Sequence, residues 1–295
     1  MSSGSTATPP QTSAAPGKGA RWRYRLYVLL MGLALTEGAL RMMAYRPYRI
    51  QPFSLAAEPA GYLMPDSLLG MRLGEGSFAL LVNEGLRFTA THRQGRRWTG
   101  PAPAQGPVVA LYGCSYAYGY GLPDTASLGW RLQAARPDLR IRCEAVPGYG
   151  TVQGWLQLRT ALASGDTPQV AVFAYASFHD DRNSLSPAYR QALTLGWGDQ
   201  PPAYAARTFR YPYVWAADSG LRLAWCPWER LYRSWPLRHH SALVNALQTA
   251  WETWQPARNR RAALTLKLFQ QIHRRCQAAG VDLLVAGLTR DAATE

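Results

Sequence analysis

The sequence predicts an α/β protein: a parallel sheet with flanking helices, a hairpin insertion and an N-terminal transmembrane helix. Three observations carry this. Short apolar runs at 108–112, 139–146, 170–176 and 281–286 have the unbroken hydrophobicity of strands covered on both faces. Between the first three, residues 125–135 and 151–162 read as helix, so strand and helix alternate as crossover connections require. A mainly apolar span of twenty residues, 26–45, is long enough for a helix across a hydrocarbon core of ~30 Å.

From the amino terminus, the first twenty residues are rich in Ser, Thr, Ala, Pro and Gly and predict a disordered tail. Lys18, Arg21, Arg23 and Arg25 precede the apolar span, which favours an inside amino terminus. Residues 1–25 thus read as a basic cytoplasmic tail and 26–45 as a signal anchor with the lipid bilayer as its partner. The expected location is the inner membrane, single-pass, with the body facing the periplasm or cell exterior. Glu37 and Arg41 fall inside the span at i and i+4, where they can share charge, and Arg41 can snorkel to the headgroups. A cleaved signal peptide is the main rival, although no A-x-A site follows the apolar core, and a buried or interfacial helix is the third reading. Residues 46–106 form a lead-in region with strands at 77–82 and 86–90 across the turn Asn83-Glu84-Gly85. Arg93, Arg96 and Arg97 are expected in a surface loop beyond them.

The main domain spans 107–295. Its first strand ends at Gly113-Cys114-Ser115, and Asp124 is the expected cap of the helix that follows. The second strand ends at Pro147-Gly148-Tyr149-Gly150 and the third at Ser177-Phe178-His179-Asp180-Asp181. An insertion at about 184–236 is dense in proline and aromatic residues, with a hairpin of 211–216 and 221–225 turning at Asp218-Ser219-Gly220. Helical periodicity returns at 241–253 and 260–279 before the last strand.

Composition narrows the function. Of 295 residues 47% are apolar, and 32 basic against 18 acidic residues give a net charge of +14. The arginines are scattered and accompany no groove-reading motif, so nucleic acid is not the expected partner; an anionic polymer or membrane surface accounts for the charge better. Cys114, Cys143, Cys226 and Cys276 make no C-x-x-C pair, and neither metal nor cofactor is expected. Free buried thiols are the simpler reading, with one disulfide left open.

The three strand ends fall on one side of a parallel sheet, so their loops can meet. Ser115 is a candidate nucleophile, Gly148 and Gly150 allow backbone N–H groups to approach a bound group, and His179, Asp180 and Asp181 are polar groups able to orient it. Gly113-Cys114-Ser115 with Tyr118-Gly119 resembles the first block of the SGNH/GDSL hydrolases, in a membrane-anchored bacterial branch with Gly-Cys-Ser in place of Gly-Asp-Ser. Pro147-Gly148-Tyr149-Gly150-Thr151 resembles the second block, and His179-Asp180 stands where the third has Asn-Asp. The resemblance covers about 60–290, including the lead-in at 66–70 and 83–87. It implies a three-layer, flavodoxin-like sheet, Ser115 as nucleophile, Gly148 as oxyanion N–H donor, and an oxyanion or substitute polar role for His179 beside Asp180.

In that family a histidine after the last strand, with an aspartate three residues before it, is the base. Here the corresponding residues, Leu288-Thr289-Arg290-Asp291-Ala292-Ala293-Thr294-Glu295, include no histidine. His92, His179, His239, His240 and His273 are the only five, and none follows an aspartate at that spacing. His239 and His240 read as residues approaching a helix start, His273 as exposed, and His179 as flanked by carboxylates that would raise its pKa. Two functions stay open. One is an ester hydrolase or O-acyl (acetyl) transferase acting through Ser115 on an envelope glycan or other acylated substrate, with a reading frame continuing to an Asp-x-x-His block. The other is a catalytically inactive, membrane-anchored relative with a carbohydrate-binding or scaffolding role. Trp215, Trp225, Trp228 and Trp235 suit sugar faces under either, or core packing.

Overall fold

The structure, a computed structural model, describes residues 18–49, 53–83, 85–103, 105–196, 209–217, 220–254 and 261–288. Residues 1–17 of the expected tail, Glu84 and residues 218–219 of the two expected turns, and the segment 289–295 lie outside the described residues. The chain divides into two compact units, Met1–Arg49 with Trp235–Ala250, and Ile50–Ser234 with Trp251–Glu295.

The smaller unit is built on α1 (Lys18–Met42) and the start of α7 (Ala242–Trp254). Among the described residues no helix is long and apolar enough to cross a membrane. This corrects the expected transmembrane signal anchor over 26–45, and with it the bilayer partner and the single-pass inner-membrane location. The cause is visible in the helix bounds. Lys18, Arg21, Arg23 and Arg25 lie within α1 rather than before it, and only eleven residues, 26–36, separate Arg25 from Glu37. At 1.5 Å per residue they cover roughly 17 Å, about half a hydrocarbon core. Glu37 does not share charge with Arg41 alone: its carboxylate also accepts from the Ser241 hydroxyl (2.8 Å) and from the N–H groups of Ala242 (2.9 Å) and Leu243 (2.8 Å). Those backbone N–H groups, unpaired at a helix start, hold the carboxyl down at about 2.

The larger unit holds an eight-stranded sheet in the order β1-β4-β5-β6-β8-β7-β9-β12. Its parallel half is β8 (Arg140–Cys143), β7 (Val108–Tyr112), β9 (Val170–Tyr175) and β12 (Asp282–Gly287), with Val109 opposite both Ile141 and Val170. Its antiparallel half is β1 (Leu55–Glu58), β4 (Gly76–Val82), β5 (Leu86–Arg93) and β6 (Arg96–Arg97), joined to β8 where Arg97 faces Cys143. The sheet is therefore mixed rather than wholly parallel. A separate ribbon pairs β2 (Leu63–Asp66) with β3 (Gly70–Leu73).

The strand run after Pro107 proceeds from β7 to one side, β8, and then returns across it to β9. The order reverses at β7, which opens a crevice beyond its carboxyl end. Helices α3 (Leu128–Ala135), α4 (Thr151–Ser164) and α8 (Arg261–Ala278) flank the sheet. On one face Tyr112 and Phe173 pack with Val152, Trp155, Leu268 and Ile272; a second cluster gathers Phe78, Phe88, Tyr118, Val146, Tyr149 and Tyr211. The hairpin of β10 (Arg210–Ala217) and β11 (Gly220–Pro227) forms as the alternation requires, with Tyr213 opposite Ala224.

Three local expectations change. Asp124 does not cap α3; Ser127 does, its Oγ accepting from Trp130 N–H at 3.3 Å, and Asp124 turns to Thr91 and Arg97 instead. Arg97 is not in a surface loop but has a fully buried side chain. The insertion also contains a helix, α6 (Pro187–Gly196), started by the Ser186 hydroxyl accepting from Tyr189 N–H at 3.2 Å, with proline at the first position. The four cysteines are free thiols.

Candidate active site

Ser115 opens the four-residue helix α2 (Ser115–Tyr118) immediately beyond the end of β7. Gly113 lets this turn sit down on the sheet. A Cβ there would lie 2.8 Å from the Ala117 Cβ and 3.1 Å from the Ala174 Cβ, closer than carbon atoms pack. Cys114, fully buried, supplies the extended residue before the helix, and Ala117 and Tyr118 anchor α2 inward, leaving Ser115 half-buried at the crevice.

Gly148 stands on the loop after β8 with φ +89, a conformation that glycine adopts without strain. Its carbonyl is within hydrogen-bonding reach of the Tyr189 and Tyr211 hydroxyls, the latter at 3.0 Å, and the two phenol oxygens are 2.6 Å apart; with one proton each, one phenol donates to the carbonyl and the other to its neighbour. This pins the carbonyl side of the peptide. Neither the Gly148 N–H nor the Ser115 N–H has a partner among the described residues.

Ser115 and Gly148 line one cavity of about 640 Å³, together with Tyr62, Tyr120, Arg182 and Tyr189 and with apolar residues from β1 (Leu55, Ala57), the β2–β3 ribbon (Leu63, Met71) and α6 (Leu193, Leu195). Arg182 is the only charged lining residue among those described. Its Nη1 donates to Tyr149 O at 2.7 Å, and the guanidinium lies over the rings of Phe178 (4.4 Å) and Tyr189 (5.5 Å). Tyr120 also lines the cavity, but its hydroxyl is enclosed by protein and has no partner among the described residues; burial pushes its pKa up to about 12, so it carries its proton at neutral pH.

The third loop is arranged differently from the sequence reading. His179 and Asp180 open the short helix α5 (His179–Asn183), and neither lines the cavity. The His179 ring is buried between Tyr175 and Phe178, and both nitrogens are without partners among the described residues. Burial, helped by the Arg182 cation, lowers its pKa to about 3, the reverse of the rise expected from adjacent carboxylates. Those carboxylates face elsewhere: Asp180 accepts from the Tyr175 hydroxyl at 3.0 Å, and Asp181 pairs with Arg261. Asn183 is likewise internal, its Oδ1 accepting from Val152 N–H (3.1 Å) and its Nδ2 donating to Thr265 (2.9 Å).

No histidine lines the cavity among the described residues. His92 is a core residue whose Nδ1 donates to Gly74 O at 3.0 Å, leaving Nε2 to accept from the Tyr118 hydroxyl at 2.7 Å. Burial holds it neutral, with a pKa near about 4. His239, His240 and His273 are exposed. Among the tryptophans, Trp225 donates to Leu68 O at 2.8 Å and Trp228 packs edge-on against Phe209, whereas Trp215 and Trp235 are exposed.

Arg182, Tyr120 and Tyr189 were not singled out from the sequence. Arg182 lies three residues beyond His179, one helical turn away, and Ser186-Pro187 is a helix-start signal that would have placed Tyr189 on a helix. Nothing local marks Tyr120.

The larger unit therefore has a mixed α/β fold with a serine at the strand-order switch. No family model and no curated protein sequence matches the chain. Among solved structures it is similar to AlinE4, described as an SGNH-hydrolase family esterase, at 25% identity over 37% of this chain and 67% of that one, with a TM-score of 0.25. Two mutants of the same esterase are similar at 29% identity over 32% of this chain and 52% of theirs, and at 24% over 37% and 67%, each with a TM-score of 0.25. The chain spans about half the length of the first of these mutants. The likeness is partial and distant.

Proposed function

We propose that the protein is an ester hydrolase or O-acyl transferase acting through Ser115 on an acylated substrate. The observation that carries this reading is that Ser115 and Gly148, from the ends of adjacent parallel strands, line the same cavity with their N–H groups unbonded among the described residues. The Ser115 hydroxyl attacks the acyl carbonyl. The tetrahedral oxyanion accepts from the Gly148 N–H, with the Ser115 N–H as second donor, and its collapse expels the alcohol and leaves an acyl-serine. Water then completes hydrolysis, or an acceptor alcohol completes transfer. The geometry supports Gly148 for the oxyanion role; it gives no such support to His179 or Asp180.

A second reading, binding of an acylated ligand without turnover, is favoured by the lack of a lining histidine among the described residues, since a serine without a base is a weak nucleophile. Hydrolysis of p-nitrophenyl acetate by the full chain beside its Ser115→Ala variant separates the two. Turnover above background that Ser115→Ala abolishes supports the acyl-serine route. Equal rates in the two proteins sink it and leave the binding role.

A further inference from the structure

The cavity has a chemical asymmetry that the acyl-transfer reading does not use. Its lining is largely apolar, with Phe53, Leu55, Leu63, Met71 and Leu193, and among the described residues carries one cation, Arg182. The Arg182 guanidinium has five N–H donors, and its one hydrogen bond among the described residues uses a single one of them, from Nη1 to Tyr149 O. The carboxylates nearest in sequence are committed to Tyr175 and Arg261, and no acidic residue lines the cavity among those described. A cation facing a partly enclosed, largely apolar space attracts an anion more strongly than it would in water.

We propose that the ligand of this cavity is an ester that also bears a carboxylate: the apolar chain against residues such as Phe53 and Met71, and the carboxylate on Arg182. The single lining cation fits a monoanion; a phosphate monoester brings a charge of about −1.5 to −2 at neutral pH, which one guanidinium does not balance. The proposal deepens the reading of Ser115 as the reacting group and rests on it for the ester, but the carboxylate recognition is a binding property that does not need Ser115.

Calorimetric titration of the full-length Ser115→Ala protein tests it without turnover. Monomethyl azelate carries one ester and one carboxylate; dimethyl azelate is its neutral counterpart of equal chain length. The monoanion is expected to bind at least about tenfold more tightly, the scale of one charge-assisted contact. Adding Arg182→Gln is expected to erase that preference while moving the diester by no more than about twofold. Equal affinities for the two esters, or a preference that survives Arg182→Gln, would overturn the proposal, as would tighter binding of nonyl phosphate than of the monoanion. The first comparison needs no change at Arg182, so it decides the matter even where Arg182→Gln fails to fold. Selectivity for the monoanion without wild-type ester turnover would discard the reaction and keep the ligand class; turnover blind to the carboxylate would do the reverse.

Discussion

Replacing Arg97 by Met removes the cation that ties down the chain just after Ser115. The Arg97 side chain has no exposed surface, and its Nη1 donates to Tyr118 O and Gly119 O at 2.7 Å each and its Nη2 to Leu122 O at 2.6 Å. The Asp124 carboxylate lies 3.3 Å away, and the guanidinium sits 4.5 Å from the Tyr118 ring centroid. Methionine fills much of the volume and satisfies none of these oxygens. Removing one partner of such a buried network costs about 3–5 kcal/mol, mostly from acceptors left dry and unpaired. At about 2–4 °C per kcal/mol for a folded region of this size, the melting temperature should fall by roughly 6–20 °C. Arg97→Lys should fall between, because a point-like ammonium reaches fewer of the carbonyls than the planar fork. Thermal unfolding followed by circular dichroism reads all three proteins, with Arg136→Met as the control. Arg136 makes a shorter ion pair, 2.7 Å to Asp138, but is 57% exposed, so its loss should leave the melting temperature unchanged. An Arg97→Met protein as stable as the control would refute the view that burial rather than ion-pair distance makes Arg97 important.

His179, neutral and buried, gives an acid-side prediction. Its folded pKa of about 3 lies below the ordinary 6.5, so the unfolded chain takes the proton first and stability drains away as pH falls from 6.5 towards 3. His179→Phe should flatten that decline by up to about 1.4 kcal/mol per pH unit in urea unfolding between pH 4 and 6, leaving the contribution of His92; an unaltered slope counts against it. Glu37→Gln should speed amide exchange at Ala242 and Leu243, whose N–H groups the carboxylate holds, and above pH 4.5 the difference should be greatest because the depressed carboxyl is then ionised in either state; identical exchange would show the contacts to be inert. Gly148→Ala forces a side chain into φ +89 with its Cβ 2.4 Å from the Met71 Cε, and should cost about 1–2 kcal/mol in urea unfolding; a neutral effect would mean that the loop relaxes freely.

The sequence by itself determined the elements whose cause is local. The apolar runs became β7, β8, β9 and β12, the alternating aromatics became the β10–β11 hairpin, and Gly113-Cys114-Ser115 became a turn at the end of a strand. Periodicity and turn chemistry act over a few residues and can be read there. Only the tertiary structure decided the rest, because the fate of a charge depends on partners far along the chain. Arg97 reads like Arg93 or Arg96 until β6 docks on β8 and encloses it. The 26–45 span reads as a membrane helix, yet Glu37 sits at the backbone N–H groups of Ala242 and Leu243, about two hundred residues away, and the apolar stretch between Arg25 and Glu37 is short. His179 is next to two aspartates in sequence and next to two aromatic rings in space. Ser115 was legible as a candidate because a nucleophile needs a particular turn; Arg182 and Tyr120 were not, because lining a cavity needs only that separate elements meet.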